Sequence, residues 1–230
     1  MSSDPKPPIW ARPEPRSRGR HRPLSRAQIV ETALRIADAE GLEAVSIRRI
    51  ASELRSGTMS LYHYFDSRDE LLELMSDAVA GQMLVPDLSA DWRAALQAIA
   101  HHTHETFRSH PWLFGAVQER RRVTPNLLRH IEQTAQAVAP LAEAGVDPAL
   151  LSALATAVDD YTIGHTVREL AQPERGTADR FDDHNVRYLI ESGEFPLIEA
   201  FVTAGARALS DDFETGLECL LDGFAARLPR

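Results

Sequence analysis

Short runs of apolar residues at spacings of three and four, punctuated by capping and breaking residues, fill the stretch from Leu24 to Val79. Only short helices fit such a pattern. Ser25 with Gln28 three residues on makes a capping box, and Leu24 can pack on Ile29 as a hydrophobic staple. Ile29, Val30, Ala33, Leu34 and Ala37 then share one face, and Gly41 supplies the stop, which predicts a helix over about 25–40. Ser46 caps a second, short helix with Ile47, Ile50, Ala51 and Leu54 inward, ending in the turn Arg55-Ser56-Gly57. A third short helix carries Leu61 and Phe65 inward and stops at Asp66-Ser67. Ser67 with Glu70 predicts another capping box, opening a longer helix with Leu71, Leu72, Met75 and Val79 on its apolar face.

The helical pattern continues after a break around Pro86. Trp92, Leu96, Ile99 and Phe107 mark a helix in 91–109, and Pro111 suits the first turn of another. Thr124-Pro125 and Asp147-Pro148 each read as a cap followed by Pro at the first helical position. They predict helices of roughly 124–144 and 147–171, with Pro140 kinking the first or ending it early. Residues 172–183 are polar and read as a loop; helices near 183–191, from Pro196 and over 212–227 complete the chain. No strand alternation appears, so the expected class is all-α.

Hydrophobic residues make up 43% of the 230, enough for a sizeable core. No run approaches 18 apolar residues, and the amino terminus is rich in Pro and Arg where a signal peptide would be apolar. The expected address is the cytoplasm, with no membrane partner. Cys219 stands alone, cannot form an intrachain disulfide, and is expected to pack as a small hydrophobe.

The net charge of −9 is unevenly spread. Residues 1–68 carry 12 Lys and Arg against 8 Asp and Glu, leaving 13 against 26 for residues 69–230. A basic head can approach phosphate while an acidic body avoids wrapping on nucleic acid. Residues 1–23 hold six of the fourteen prolines, with Arg12, Arg16, Arg18, Arg20 and Arg22 between them, and show no apolar period. They read as a flexible arm, either tracking phosphates or the minor groove or serving as a solvated tail.

Two short helices joined by a tight turn and braced by a longer helix before them make a helix-turn-helix, whose second helix enters the major groove. With Leu61 and Phe65 inward, Thr58, Met59, Ser60, Tyr62, His63 and Tyr64 are left facing out. None is an acid that phosphate would repel, and their hydroxyls, imidazole and thioether can meet base edges. Ser46 and Arg48 at the start of the second helix, and Arg68 in the first turn of the fourth, flank this face. The runs Ser46-Ile47-Arg48-Arg49-Ile50-Ala51-Ser52-Glu53-Leu54, Leu61-Tyr62-His63-Tyr64-Phe65 and Arg68-Asp69-Glu70-Leu71-Leu72 resemble the DNA-binding domain of TetR-family repressors over roughly residues 24–80. The resemblance implies that Arg48 reaches a base or phosphate, that Thr58, Met59 and His63 read the groove, and that Tyr62, Tyr64 and Arg68 hold phosphates. The turn departs from the family, which has Gly and then an apolar residue where this chain has Arg55-Ser56. Arg68 replaces the more frequent Lys and adds a fork able to engage phosphate bidentately.

The last helix presents Phe213, Leu217, Leu220, Leu221, Phe224 and Leu228 as one stripe. Periodicity alone does not separate core from interface. The segment also resembles the closing helix of the tetracycline-repressor-like subgroup, which implies a four-helix dimer contact shared with Leu154 and Val158 of the 147–171 helix. A short recognition helix reads few base pairs, and half-sites about 34–36 Å apart call for a twofold homodimer. His101, His104, Phe107, Trp112, Phe114, Val117, Tyr161 and His165 are amphipathic groups suited to a small-molecule pocket, although each also fits a core. No acidic residue at diagnostic spacing joins the histidines, so neither metal nor cofactor is expected. An enzyme, for example a helical metal-dependent hydrolase, lacks a nucleophile elbow, phosphate loop or zinc-protease signature. The expected organisation is an arm at 1–23, a DNA-binding domain at 24–82 and a ligand-binding, dimer-forming domain at 86–230. The expected function is a repressor that holds a palindromic operator as a homodimer until a small molecule releases it, the alternative being a ligand-responsive activator.

Overall fold

The computed structural model describes residues 6–15, 24–115, 123–171, 184–203 and 212–228. Every regular element among the described residues is helical, and none of their helices is long and apolar enough to cross a membrane. The chain divides into two compact units, residues 1–141 and 142–230.

In the first unit α1 spans Arg26–Glu40 and opens on the expected capping box: Ser25 Oγ accepts from Gln28 N at 3.1 Å while Gln28 Oε1 accepts from Ser25 N at 3.1 Å. Its buried face is Ile29, Val30, Ala33, Ile36 and Ala37, and Gly41, at φ 85°, ends it. Ser46 caps α2, Ile47–Glu53, by accepting from Arg49 N at 3.2 Å. The unusual turn that follows is a Schellman closure: Ser56 N donates to Ala51 O at 2.9 Å and Arg55 N to Ser52 O at 3.1 Å. Its left-handed position is filled by Arg55, at φ 51°, where a side chain costs about 1 kcal/mol relative to glycine.

The single-turn α3, Thr58–Leu61, is followed by α4, Arg68–Gln82. Ser67 caps α4 by accepting from Glu70 N at 3.3 Å, but the expected reciprocal bond is displaced by one residue, Glu70 accepting from Asp66 N at 2.6 Å. Ile29, Ile36, Ile50, Leu61, Phe65, Leu71 and Met75 interlock as one core. Each large side chain so buried contributes about 1.5–3 kcal/mol before entropy is charged against it.

The expected flexible arm is overturned for residues 6–15. Ile9, in a 3-10 turn at Ile9–Ala11, is 1% exposed and belongs to that same core. Burial of Ile9 offsets part of the entropy lost in ordering the segment, and the bonds of Arg12 to Asp66, Glu70 and Arg26 add to that offset. Arg16, Arg18, Arg20 and Arg22 lie outside the described residues.

Asp91 caps α5, Trp92–Ser109. Helix α6, Pro125–Glu143, runs through Pro140 and does not end there; the proline falls in the last turn, where its missing N–H frees a single upstream carbonyl. Asn126 N and Nδ2 donate to Asp77 Oδ1 and O at 2.8 and 2.9 Å, tying α6 to α4. His110 Nδ1 lies 2.6 Å from Asp38 Oδ1, which also accepts from Trp112 Nε1 at 2.7 Å, so the end of α5 is tied to α1.

In the second unit Asp147 caps α7, Pro148–Leu170; α8 is His184–Glu191, α9 Pro196–Thr203 and α10 Phe213–Ala225. Helices α7 and α10 pack together. Leu154, Val158, Phe213, Leu217 and Leu221, expected at a dimer contact, are all buried within the chain itself and so offer no surface to a partner. An apolar stripe whose partner helix lies in the same chain is filled before a second copy arrives. Leu220 and Phe224 stay half-exposed. Cys219, expected to pack as a hydrophobe, is exposed; it sits two residues from both Leu217 and Leu221, off the buried stripe.

Candidate nucleic-acid interface

The outward face of the helix-turn-helix is what remains once Leu61, Tyr64 and Phe65 turn into the core. Thr58, Met59, Ser60, Tyr62 and His63 are exposed, Met59 at 74% and Tyr62 at 48%. Ser46, Arg48 and Arg68 are also exposed. Ser46 Oγ is engaged as the cap of α2 and keeps its O–H to donate. Arg48 has no ion pair among the described residues, whereas its neighbour Arg49 is held by Glu40 at 2.8 Å and Glu53 at 3.1 Å. The hydrogen bond from Arg35, more than that from Arg49, holds the Glu53 carboxyl below its ordinary value. Arg68 donates one bond to Leu42 O at 3.3 Å and keeps the rest of its fork free of carboxylates among the described residues.

Tyr64 corrects the expectation that it faces DNA. It is 6% exposed, belongs to the head core, and its hydroxyl donates to Leu24 O at 2.7 Å. The cause is local. Helix α3 stops at Leu61 and the chain tightens, Tyr64 N donating to Leu61 O at 2.9 Å. In such an i to i+3 turn residues three apart eclipse, so Tyr64 follows Leu61 inward. Burial, and then the Glu14 charge, push the Tyr64 hydroxyl above its ordinary value, which keeps it a donor. Tyr64→Phe should therefore cost about 0.5–1.5 kcal/mol of stability and leave DNA affinity unchanged, whereas Tyr62→Phe should spare stability and cost about tenfold in affinity. Chemical denaturation and a binding titration on both variants check this; the opposite assignment would restore Tyr64 to the interface.

Behind the exposed face lies a bracing set that sequence reasoning missed: Arg12, Arg26 and Glu14. Arg26 Nε donates to Tyr64 O at 3.0 Å and its Nη1 to Arg12 O at 2.7 Å, while Arg26 N donates to Glu14 at 2.6 Å. Arg12 pairs with Asp66 at 3.0 Å and Glu70 at 2.6 Å, and Lys6 pairs with Asp66 as well. The hydrogen bond from Lys6, followed by the Lys6 and Arg12 charges, holds the Asp66 carboxyl below its ordinary value. The adjacent pair Ile9-Trp10 inside a Pro- and Arg-rich tract was the available signal that this segment has a core to enter.

The expected pocket residues fall into two groups, one in each unit. In the first, His104 and Phe107 are buried, His101, Trp112 and Phe114 half-buried, and Phe107 stacks on Phe114 with ring centroids 4.5 Å apart. Trp112 also serves the Asp38 network. In the second, Tyr161, His165 and Phe213 form a ring cluster with centroid separations of 5.3–5.8 Å. Val117 lies outside the described residues.

Comparison with known proteins follows the same lines. A model described as bacterial regulatory proteins, tetR family, matches residues 29–75, and one described as tetracyclin repressor-like, C-terminal domain, matches residues 85–228. The chain is similar to the HTH-type transcriptional repressor DrrR1 of Streptomyces coeruleorubidus, 35% identical over 225 residues that cover 94% of this chain and 82% of that one. It is similar, at 29% identity over 95% of this chain and 91% of the other, to an HTH-type transcriptional regulator of Saccharopolyspora erythraea. Among solved structures it is similar to the Streptomyces coelicolor TetR family protein ActR in complex with actinorhodin, with a TM-score of 0.71 and 30% identity over 90% of this chain and 98% of that one.

Proposed function

Because the chain belongs to the TetR family of transcriptional regulators, we propose that it is a repressor that holds a palindromic DNA operator as a homodimer and releases it when a small molecule binds. The observation that carries this reading is the exposed face of Thr58, Met59, Ser60, Tyr62 and His63, free of acids and flanked by Arg48 and Arg68. In this reading Thr58, Met59 and His63 meet base edges in the major groove. Ser46, Ser60, Tyr62, Arg48 and Arg68 hold the backbone on either side. Residues 24–82 form the DNA-reading domain and residues 86–230 the sensing and dimer-forming body, a division that the two family models support by their ranges.

The small molecule is supported by ActR, whose structure holds actinorhodin. Candidate contacts for a small molecule here are His101, His104, Phe107 and Phe114 in the first unit and, as a separate group, Tyr161 and His165 in the second. A ligand that prefers the non-binding arrangement of two heads by about 1–3 kcal/mol suffices to loosen the operator. The twofold contact uses what α10 leaves uncovered, Leu220 and Phe224. Repression is supported by the relative DrrR1, a repressor by name.

The test is selection of a duplex from a random-sequence pool by the full chain, followed by titration at several salt concentrations. A specific duplex with palindromic half-sites is expected. Arg68→Ala should weaken binding to all sequences and flatten the salt slope by about 0.9. Recovery of no specific duplex, or a monomer by sedimentation at micromolar concentration, overturns the reading.

A further inference from the structure

We propose that residues 6–15 are a brace that sets the angle at which the recognition segment meets DNA, with Arg12 as its positioning residue. This rests on the DNA-reading function proposed above. Helix α3 is a single turn of four residues, and a helix that short does not hold itself, since nucleation costs more than its few bonds return. Its orientation must come from whatever grips its ends.

On the side toward α4 the grip is a closed circuit. Arg12 Nη2 donates to Glu70 Oε1 at 2.6 Å, and Glu70 Oε2 accepts from Asp66 N at 2.6 Å. Arg12 O accepts from Arg26 Nη1 at 2.7 Å, and Arg26 Nε donates to Tyr64 O at 3.0 Å. The Tyr64 carbonyl and the Asp66 amide bracket Phe65, directly after Tyr62 and His63. Fixing both groups fixes the turn that carries those two side chains. The Arg12 fork is otherwise spent: Nη1 donates to Asp66 Oδ2 at 3.0 Å and Nε to Pro7 O at 2.7 Å. Its side chain is only 17% exposed, so it acts through carboxylates and does not reach phosphate. Ile9, buried in the core that holds Leu61 and Phe65, anchors the brace from below.

Three roles for Arg12 make different predictions. A phosphate contact would lower affinity for every duplex and reduce the salt slope by about 0.9. A purely stabilising residue would lower the unfolding midpoint and leave discrimination between duplexes unchanged. A positioning residue would lower affinity for the selected duplex alone.

The experiment uses the full chain, the duplex recovered by selection and a scrambled duplex of equal length. Wild-type discrimination between the two tests the DNA-reading function by itself, before any variant is made. Arg12→Gln is expected to cost about tenfold on the selected duplex, with little change on the scrambled one and an unchanged salt slope. Arg12→Lys, which keeps the charge and loses the fork, should lose nearly as much. Glu70→Gln should reproduce the loss, and the double variant Arg12→Gln/Glu70→Gln should cost no more than Arg12→Gln alone, because both break the same circuit. If Arg12→Gln is unfolded at the assay temperature, Glu70→Gln carries the test by the same readouts. A reduced salt slope, full rescue by Arg12→Lys, additive losses in the double variant, or unchanged discrimination between the duplexes would each overturn the proposal.

Discussion

Phe65→Ala is expected to cost the first unit about 3–5 kcal/mol and, with it, DNA binding. Phe65 is 2% exposed and lies in one cluster with Ile9, Ile50, Leu61, Leu71 and Met75. It sits beyond the end of α3 and before the start of α4, at Arg68, so with Tyr64 it pins a non-helical connection to the core, and it is the more deeply buried of the two. Two features keep the resulting cavity from closing. Its neighbours Leu71 and Met75 lie on the 15-residue α4, and the backbone around it is held at Tyr64 O and Asp66 N. A cavity that cannot collapse gives the upper part of the range. Since whole domains are stable by only about 5–15 kcal/mol, the head would lose a large share of its margin. Phe65→Leu, which refills most of the volume, should cost much less and keep specific binding. Denaturant midpoints at a common slope measure the difference. A loss below about 1 kcal/mol for Phe65→Ala would mean that the connection is held by its hydrogen bonds and not by this ring.

The features legible in the sequence are those decided within a few residues of chain. The caps at Ser25, Ser46 and Asp147 each depend on a side chain and an amide two or three positions on, and so the starts of α1, α2 and α7 could be read directly. The exposed face was legible for the same reason at Thr58 through His63. Tyr64 was not. Its direction turns on whether the chain keeps a 100° step after Leu61 or tightens into the turn that Tyr64 N closes on Leu61 O, a choice no capping residue announces; the hydrogen bond to Leu24, 40 positions away, then holds the ring inward. Ile9 and Arg12 were hidden behind composition: a tract of prolines and arginines reads as solvated unless the core it enters is known. The stripe on α10 was legible as buried, but burial by α7 and burial by a second copy leave the same period. Only packing separates Leu217 and Leu221, filled from within, from Leu220 and Phe224, still partly open.

Gly216→Ala should destabilise the second unit although alanine is the better helix former. A Cβ on Gly216 would stand 2.7 Å from Tyr161 Cζ and 2.9 Å from Cε2, distances at which one group must move. The ring has no cheap way out. Its hydroxyl donates to Phe213 O at 2.9 Å, its face stacks on the Phe213 ring with centroids 5.7 Å apart, and His165 lies beside it at 5.8 Å. Phe213 opens α10, so displacing Tyr161 also strips a partner from the start of the helix that must accommodate the new methyl. Helix propensity favours alanine by about 0.8–1 kcal/mol, while overpacking costs about 1–3 kcal/mol before the lost hydrogen bond is counted. The net expected is a loss of about 1–2 kcal/mol. A double-mutant cycle isolates the cause. Once Tyr161→Ala has made room, Gly216→Ala should stabilise by about 1 kcal/mol, so that one substitution changes sign between two backgrounds. Thermal midpoints compared at equal protein concentration, since association would otherwise shift them, read the cycle. If Gly216→Ala raises the midpoint in the unaltered chain, α7 and α10 do not meet through this glycine.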